Sequence, residues 1–178
     1  MAFLEATGVV QGILTEDSDL LVFGARTVLL KLDVPSASVT SVSHTDLGKA
    51  LPGWTHARFR DMAILSGCDY LPSIQGVGLK TARTWLSAHG TVEKALSVAK
   101  LVGKTRVPSG YLDQFRRAEA VFLYQRVFDT SSKTMVNLTS PPAGNTFDDD
   151  TDAYIGRCVT IYYASPLLIF GSENLILS

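Results

Sequence analysis

The feature that most restricts the fold of this 178-residue chain is a short apolar run that ends directly in acidic residues. Val9–Leu14 has the length and composition of a buried strand, and Thr15-Glu16-Asp17 follows it. Ser18–Phe23 predicts a short helix closed by Gly24, and Thr27–Leu32 predicts a second strand. Because strand, helix and strand in succession are typical of an α/β sheet, the first third of the chain predicts an α/β fold.

The rest of the chain predicts mostly helices. Residues 33–53 are rich in Pro, Gly, Ser and Thr, and we expect a loop there. Four further helices are expected, three from apolar residues at helical spacing and one from the capping residue Thr91, and a strand and a solvated acidic loop are expected after them. The expected helices are His56–Ser66 (stopped by Gly67), one opening at Leu79, Thr91–Lys100 and Ser109–Phe128; the strand is Thr134–Leu138 and the loop is Asp148–Asp152.

Composition excludes several classes of protein. With 46% hydrophobic and 19% charged residues, the chain has enough apolar material for one core and lacks the signature of disorder. Cys68 and Cys158 are too few for a disulfide scaffold or a thiolate zinc site. We expect neither a secretory signal nor a membrane span, since the longest apolar run, Val159–Phe170, is interrupted by Ser165 and Pro166.

The charges are distributed unevenly along the chain. Residues 1–75 carry five Lys/Arg and eight Asp/Glu, residues 76–135 carry ten and four, and residues 136–178 carry one and five. The net charges are therefore −3, +6 and −4 in turn, although the whole chain has a net charge of −1. Because phosphate binding responds to the local field, the basic middle segment is compatible with nucleic-acid binding. A solvated helical face rich in Lys and Arg would give the same pattern.

Three aspartates stand next to apolar segments. Asp17 and Asp19 follow the first predicted strand, at the edge where an α/β sheet presents its site, and Asp69 follows the helix that ends at Ser66. Carboxylates gathered in such a setting need a cation, and oxygen ligands favour Mg²⁺ or Mn²⁺ over zinc. The alternative is that these side chains cap helices or close turns. Three aspartates are also too few for a two-metal phosphodiesterase site, so further carboxylates would have to come from outside this sequence.

A glycine turn opens the basic segment. Gly76 and Gly78 would let the backbone approach a phosphate closely, while the N–H groups of the following helix, Lys80 and Arg83 would attract it. Such an element grips a nucleic-acid backbone without reading its sequence. A plain turn between helices is the alternative. The two tryptophans are predicted to be core or interface residues, and no catalytic role is assigned to His44, His56 or His89.

The order of three motifs resembles that of the structure-specific 5′ nuclease family. These are Thr15-Glu16-Asp17-Ser18-Asp19-Leu20-Leu21, Leu65-Ser66-Gly67-Cys68-Asp69-Tyr70-Leu71 and Ile74-Gln75-Gly76-Val77-Gly78-Leu79-Lys80. The first of them, with the later Phe122-Leu123-Tyr124-Gln125-Arg126-Val127-Phe128-Asp129, is most similar to the exonuclease 1 branch, followed by flap endonucleases. The resemblance covers residues 1–138, and residues 154–178 match nothing in the family.

The resemblance implies a partial PIN-like nuclease core, residues 1–66, and a helix-two-turn-helix DNA-binding region, residues 67–135, with a poorly matched tail, residues 136–178. It implies that Asp17, Asp19 and Asp69 bind the two Mg²⁺ (or Mn²⁺) ions of the complete family site. Two other sets of residues match the family by position. Ser66, Ser73 and Val77 match positions that hold K⁺, and Gly76, Gly78 and Lys80 match the turn that grips duplex DNA.

The expected function is that of a nuclear 5′→3′ DNA exonuclease or flap endonuclease of DNA repair. Its expected partner is double-stranded DNA with a 5′ end, nick or flap, and no binding to membranes is expected. The family's remaining metal-binding carboxylates have no counterpart here, so we expect a fragment that needs the missing N-terminal half and cleaves poorly by itself. One alternative is a non-catalytic DNA-binding module with vestigial aspartates. Another is the Asp-x-Asp of a nucleotide-sugar transferase, which gives the glycine turn no role.

Overall fold

A computed structural model of the chain describes residues 1–142, 147 and 149–156. The described helices and strands are, in chain order, α1 (Ala2–Ala6), β1 (Ile13–Leu14), α2 (Asp19–Val22), β2 (Thr27–Asp33), β3 (Ser38–Ser43), α3 (His44–Ala50), α4 (His56–Ser66), α5 (Leu79–His89), α6 (Val92–Val102), α7 (Tyr111–Tyr124), β4 (Arg126–Asp129), β5 (Thr134–Asn137) and α8 (Asp149–Tyr154). They form two units, each with its own core. The first comprises Met1–Trp54 and Arg126–Ser140, and the second Thr55–Gln125 and Pro141–Gly156.

The first unit contains the predicted α/β sheet. β1 pairs with β2 in parallel, through Ile13 with Val28 and Leu14 with Leu29, and α2 connects them. Ile13, Leu14 and Val28 are buried, which confirms the buried strand and the strand, helix, strand order. β1 is nevertheless shorter than the predicted Val9–Leu14. The chain is still leaving α1 at that point, because the N–H groups of Val9 and Val10 both donate to the Leu4 carbonyl.

The prediction of a loop over residues 33–53 is wrong. β3 pairs antiparallel with β2, so the sheet has the order β1-β2-β3, and α3 follows immediately. α3 begins with a capping box, in which Ser43 accepts from the Asp46 N–H and Asp46 accepts from the Ser43 N–H. The Ser and Thr residues that suggested a loop are therefore exposed strand residues and a helix cap.

The second unit is built from helices around one apolar core. α4 has the predicted bounds: Thr55 caps its first turn and Gly67 ends it with φ 101°. α5 begins at Leu79 as predicted, and α6 begins after its predicted cap, Thr91. α4 packs against α5 and α7, and α5 packs against α6. The largest fully buried side chains of this core are Ile64, Leu65, Leu71, Ile74, Leu86, Phe115, Val121, Phe122 and Ile155.

The predicted helix Ser109–Phe128 is too long at both ends. α7 spans only Tyr111–Tyr124, and the backbone leaves the helical region at Gln125, with ψ 136°. The next four residues form β4, which pairs with β5 and thereby confirms the predicted strand near residues 134–138. The apolar side chains Val127 and Phe128 are compatible with either element, and the pairing with β5 decides for a strand.

The acidic run was also predicted wrongly. α8, Asp149–Tyr154, occupies most of the expected solvated loop, and it packs against α7 with Thr151 and the following Ile155 buried. Residues 157–178, including the apolar stretch of the predicted tail, lie outside the described residues. The functional domain boundaries at residues 66 and 135 stay a prediction, whereas the two units divide near residues 54 and 125. No described helix combines the length and apolar character needed to cross a membrane.

Candidate functional site

Asp17 and Asp19 lie where the chain passes from β1 into α2. The Asp17 carboxylate accepts a hydrogen bond from the Asp19 N–H, with Oδ1 and N 2.8 Å apart, and the Asp17 N–H donates to the Thr15 hydroxyl at 3.0 Å. Asp17 is exposed and Asp19 is half-buried. Asp17 therefore does satisfy one N–H at the start of α2, as the capping alternative required. Because this contact occupies only one carboxylate oxygen, it leaves acceptor capacity for a cation.

The neighbouring Glu16 has a structural contact. Its carboxylate accepts a hydrogen bond from the Lys31 N–H at 3.0 Å. Lys31 has the positive φ of 55°, an uncommon conformation for a residue other than glycine. This bond ties the acidic turn after β1 to the irregular part of β2, so the position of Asp17 depends on the sheet beside it.

Asp69 lies at the tip of the turn that follows α4. The Cys68 N–H donates to the Leu71 carbonyl at 3.0 Å, and the Leu71 N–H donates to the Cys68 carbonyl at 3.2 Å. These two bonds bracket Asp69 and Tyr70. The Tyr70 ring packs edge-on against Phe122 of α7, with ring centroids 5.2 Å apart, while Asp69 itself is exposed. The turn therefore fixes the backbone and leaves the carboxylate accessible.

The structure brings Asp17 and Asp19 together in the first unit, and Asp69 belongs to the second. Within either unit, the described residues contain no group of three or more His, Cys, Asp or Glu side chains placed to hold a metal ion. The donors at Asp17 and Asp19 are carboxylate oxygens, the ligand type that Mg²⁺ and Mn²⁺ prefer. The donor type therefore fits these ions, and the number of donors in each unit is below that of a two-metal site.

The residues matched to a monovalent-cation site lie on the segment between α4 and α5. Ser66, the last residue of α4, donates its hydroxyl hydrogen to the Ala63 carbonyl at 2.8 Å. Gly67 approaches Ser73 so closely that a Cβ at Gly67 would lie 3.1 Å from the Ser73 nitrogen. Val77 is buried, and its N–H donates to the carbonyl three residues earlier. The structure thus brings Ser66 and Ser73 to one turn, and their role as cation ligands stays a prediction.

The predicted DNA-binding residues lie at the start of α5. Gly76 has φ 81°, a conformation that favours glycine, and Gly78 is the N-cap residue of α5. Among the described residues no side chain caps the first turn of this helix, in which Lys80 is exposed, and Arg83 is exposed just beyond it. A Cβ added at either glycine would meet no described atom within 4 Å. Uncapped N–H groups beside two exposed cations are suited to binding a phosphate.

Two buried charged groups that organise the units were missed from the sequence. The Glu5 carboxylate of α1 accepts hydrogen bonds from the N–H groups of Arg26 and Thr27 at the start of β2. Arg60 of α4 pairs with Glu119 of α7 at 3.1 Å, and their side chains are only 9% and 25% exposed. The partners are more than twenty residues apart in each case, so no spacing rule finds them. A charged residue on an otherwise apolar helix face is the only sequence signal.

The same helical unit holds a perturbed carboxyl group. Burial, followed by repulsion from Glu119, raises the pKa of Asp61 to about 6, although the Arg60 guanidinium opposes the shift. Arg116 pairs with Glu93 nearby. A network of acidic and basic side chains therefore joins α4, α6 and α7, and the pKa of one of its acids, Asp61, is raised.

Comparison with known proteins agrees with the predicted resemblance. The family model described as the XPG I-region matches residues 1–69, a range that includes all three candidate aspartates. Exodeoxyribonuclease 1 of Schizosaccharomyces pombe is 37% identical over 161 residues, which cover 88% of this chain and 27% of that protein. The chain is homologous to exonuclease 1. The predicted relationship to structure-specific 5′ nucleases, closest to the exonuclease 1 branch, is thus confirmed.

Solved structures of nucleases share the fold. The catalytic core of Rad2 gives a TM-score of 0.56 at 18% identity, over 68% of this chain and 48% of that chain. The Holliday junction-resolving enzyme GEN1, solved with product DNA and Mg²⁺, gives 0.51 at 23% identity, over 66% and 36%. At such low identity these matches show the fold alone, which confirms the mixed α/β class. The chain spans about a quarter of the length of its exonuclease 1 homologue from S. pombe.

Proposed function

We propose that this chain is part of a metal-dependent 5′→3′ DNA exonuclease or flap endonuclease of DNA repair. The observation that carries this proposal is the pair of aspartates held by one hydrogen bond at the carboxyl end of β1, in a segment matched by the XPG I-region model. The homology to an exodeoxyribonuclease over 88% of the chain supports the same reaction class. A nuclear location follows from a role in DNA repair in a eukaryotic cell.

Asp17, Asp19 and Asp69 supply metal ligands in this proposal. When bound, a pair of Mg²⁺ or Mn²⁺ ions activates the attacking water and stabilises the leaving oxygen of the phosphodiester. The hydrogen bond from the Asp19 N–H to Asp17 sets the orientation of the first carboxylate, and the bracketed turn after α4 fixes the backbone at Asp69. The remaining ligands come from outside these residues, in the N-terminal half of a complete nuclease core of the PIN-like type.

The segment from α4 to α5 forms the proposed helix-two-turn-helix that holds duplex DNA. Gly76 supplies the positive φ of the turn, and the first N–H groups of α5 with Lys80 and Arg83 bind the phosphate backbone. Ser66, Ser73 and Val77 hold K⁺ beside this phosphate. Because the Ser66 hydroxyl donates its hydrogen to the Ala63 carbonyl, its oxygen lone pairs are available for a cation.

A cleavage assay tests this function. The substrate is a duplex with a labelled recessed 5′ end, and the protein is this chain in Mg²⁺ or Mn²⁺, alone and with the upstream segment of the S. pombe homologue added in trans. We expect weak cleavage by the chain alone and cleavage from the 5′ end after complementation. Asp19→Asn should abolish the complemented activity, whereas Asp33→Asn, a matched change at an exposed residue of the same unit, should preserve it. Robust cleavage by the lone chain would refute the incomplete site.

A second candidate function is a non-catalytic DNA-binding module. The observation in its favour is that neither unit gathers three metal-binding side chains among the described residues. In that case, salt-dependent duplex binding should be unchanged by Asp17→Ala or Asp69→Ala, and Mg²⁺ should not bind. Loss of complemented cleavage by Asp19→Asn would eliminate this candidate.

A further inference from the structure

An apolar cavity lies between α5 and α6. It has a volume of about 200 Å³, and its walls include Trp85, His89, Val98, Ala99, Val102 and Lys104. Trp85 and His89 are one helical turn apart on α5, and Val98 and Val102 are one turn apart on α6. Two facing side-chain stripes therefore leave an unfilled gap instead of closing on each other.

An exposed apolar side chain continues this cavity to the surface. Val102, which lines the cavity at the end of α6, is 58% exposed. Gly103 ends the helix in the left-handed conformation, with φ 70°, so the chain turns away immediately after Val102. The cavity and this exposed residue form one surface, which we call the α5–α6 surface: Trp85, Val98, Val102 and Lys104.

The segment that carries the α6 side of the α5–α6 surface is basic. Between residues 94 and 112 there are four cations, Lys94, Lys100, Lys104 and Arg106, and no Asp or Glu. All four are exposed. The nearest preceding acid, Glu93, is held in an ion pair by Arg116. A ligand of this surface must therefore combine an apolar group with negative charge.

The α5–α6 surface is separate from the proposed DNA-binding turn. At about 100° per residue around a helix, Trp85 and His89 point roughly opposite to Lys80 and Arg83 on α5. A duplex held by Lys80 and Arg83 would use the other side of the helix. A phosphate backbone would also pair with the lysines of the rim while leaving the apolar cavity unfilled.

The size of the cavity indicates a single anchoring side chain. Pockets for drug-sized ligands and cofactors are commonly about 300–1,000 Å³, so 200 Å³ is small for them. In protein interfaces, by contrast, one buried apolar or aromatic side chain in a pocket, surrounded by polar contacts, carries much of the affinity. We propose that the α5–α6 surface binds an acidic segment of a partner protein that inserts one aliphatic or aromatic side chain between the two helices.

Fluorescence anisotropy with defined peptides tests this proposal on the full chain. The probe is a short labelled peptide with a central Leu-Phe pair flanked by Glu and Asp. One control peptide replaces the pair with Gly-Ser, and the other keeps the pair between lysines. We expect only the first peptide to bind in a saturable manner, with an affinity that falls as salt is added.

Two substitutions on the surface report on its two components. Val102→Ser should weaken binding of the probe about tenfold, because it removes most of an apolar contact. Lys104→Ala should weaken binding about two- to threefold and reduce its salt dependence. Val34→Ser, at an apolar residue of the other unit that is 74% exposed, is the matched control and should change nothing. Circular dichroism checks that each variant is folded.

Four results would overturn the proposal. The first is that the probe does not bind saturably, and the second is that the Gly-Ser peptide binds equally well. The third is that Val102→Ser weakens binding of duplex DNA but not of the peptide, and the fourth is that the chain associates with itself and Val102→Ser abolishes this association. The third would assign the surface to nucleic acid, and the fourth to a second copy of the chain. Peptide binding requires no cleavage activity, so failure here is distinguishable from failure of the proposed nuclease function.

Discussion

The ionisation of Asp61 should make the stability of the helical unit depend on pH. Its carboxyl group has a pKa of about 6 in the folded protein, compared with 3.8 for the ordinary group, and burial is the principal cause. The folded state therefore binds the proton more tightly than the unfolded state does. The stability that the neutral Asp61 side chain contributes to the folded state is fully present below pH 3.8 and is lost as the pH rises through about 6.

The magnitude follows from the difference between the two pKa values. About two pKa units correspond to roughly 3 kcal/mol, which we reduce to about 1–2 kcal/mol because the side chain is partly open to solvent. Asp61→Asn keeps the shape of the neutral acid and cannot ionise. At pH 7 the variant should therefore be more stable than the parent chain by about 1–2 kcal/mol, and at pH 3.5 the two should be nearly equal.

Urea unfolding followed by tryptophan fluorescence and circular dichroism, at several pH values from 3.5 to 7.5, measures this difference. The matched control is Asp113→Asn, because Asp113 is exposed on the same unit. Its effect on stability should be small at every pH. If Asp61→Asn lowers stability at pH 7, or if its effect does not change between pH 4 and 6, Asp61 is not a buried carboxyl group with a raised pKa.

Three other changes should have measurable effects. Glu5→Gln should lower the free energy of unfolding by about 1.5–3 kcal/mol in urea titrations, because one of its two buried backbone hydrogen bonds loses its acceptor when an oxygen becomes NH2 and the other keeps only an uncharged acceptor. An unchanged midpoint would contradict this role. Gly67→Ala should lower the stability measured by thermal unfolding by about 1–3 kcal/mol, since φ at Gly67 is 101° and the new methyl group meets the backbone. Gly78→Ala should lower it by less than about 1 kcal/mol. Equal losses of stability would argue against this geometry. Lys80→Ala with Arg83→Ala should weaken duplex binding and flatten its dependence on salt in anisotropy titrations; unchanged affinity at low salt would remove α5 from the DNA-binding account.

Local signals in the sequence were sufficient for several elements. α4 follows from apolar residues at helical spacing that stop at Gly67, and the start of α6 follows from its capping residue, Thr91, because these signals are encoded within a dozen residues. β1 and β2 follow from apolar runs, of which Ile13, Leu14 and Val28 are buried in the sheet. The candidate aspartates are likewise located by their position after apolar segments, and the structure places Asp17 between β1 and α2 and Asp19 at the first residue of α2.

Elements whose identity depends on distant partners could not be predicted. β3 is a strand because it pairs with β2, and β4 is a strand because it pairs with β5, although neither has a decisive pattern of its own. α8 packs against α7, with Thr151 and the following Ile155 buried, and an acidic sequence does not predict such a contact. The buried role of Glu5 depends on two N–H groups more than twenty residues away.

The most direct test of the metal-binding claim is paramagnetic broadening of backbone amide signals by Mn²⁺ in the chain complemented with the upstream nuclease segment. We expect the amides of Asp17, Asp19 and Asp69 to broaden together at the same Mn²⁺ concentration, Mg²⁺ to compete, and Asp19→Asn to weaken the broadening at all three. Broadening of Asp69 that is independent of Asp19, or no selective broadening at these residues, would contradict a shared metal site.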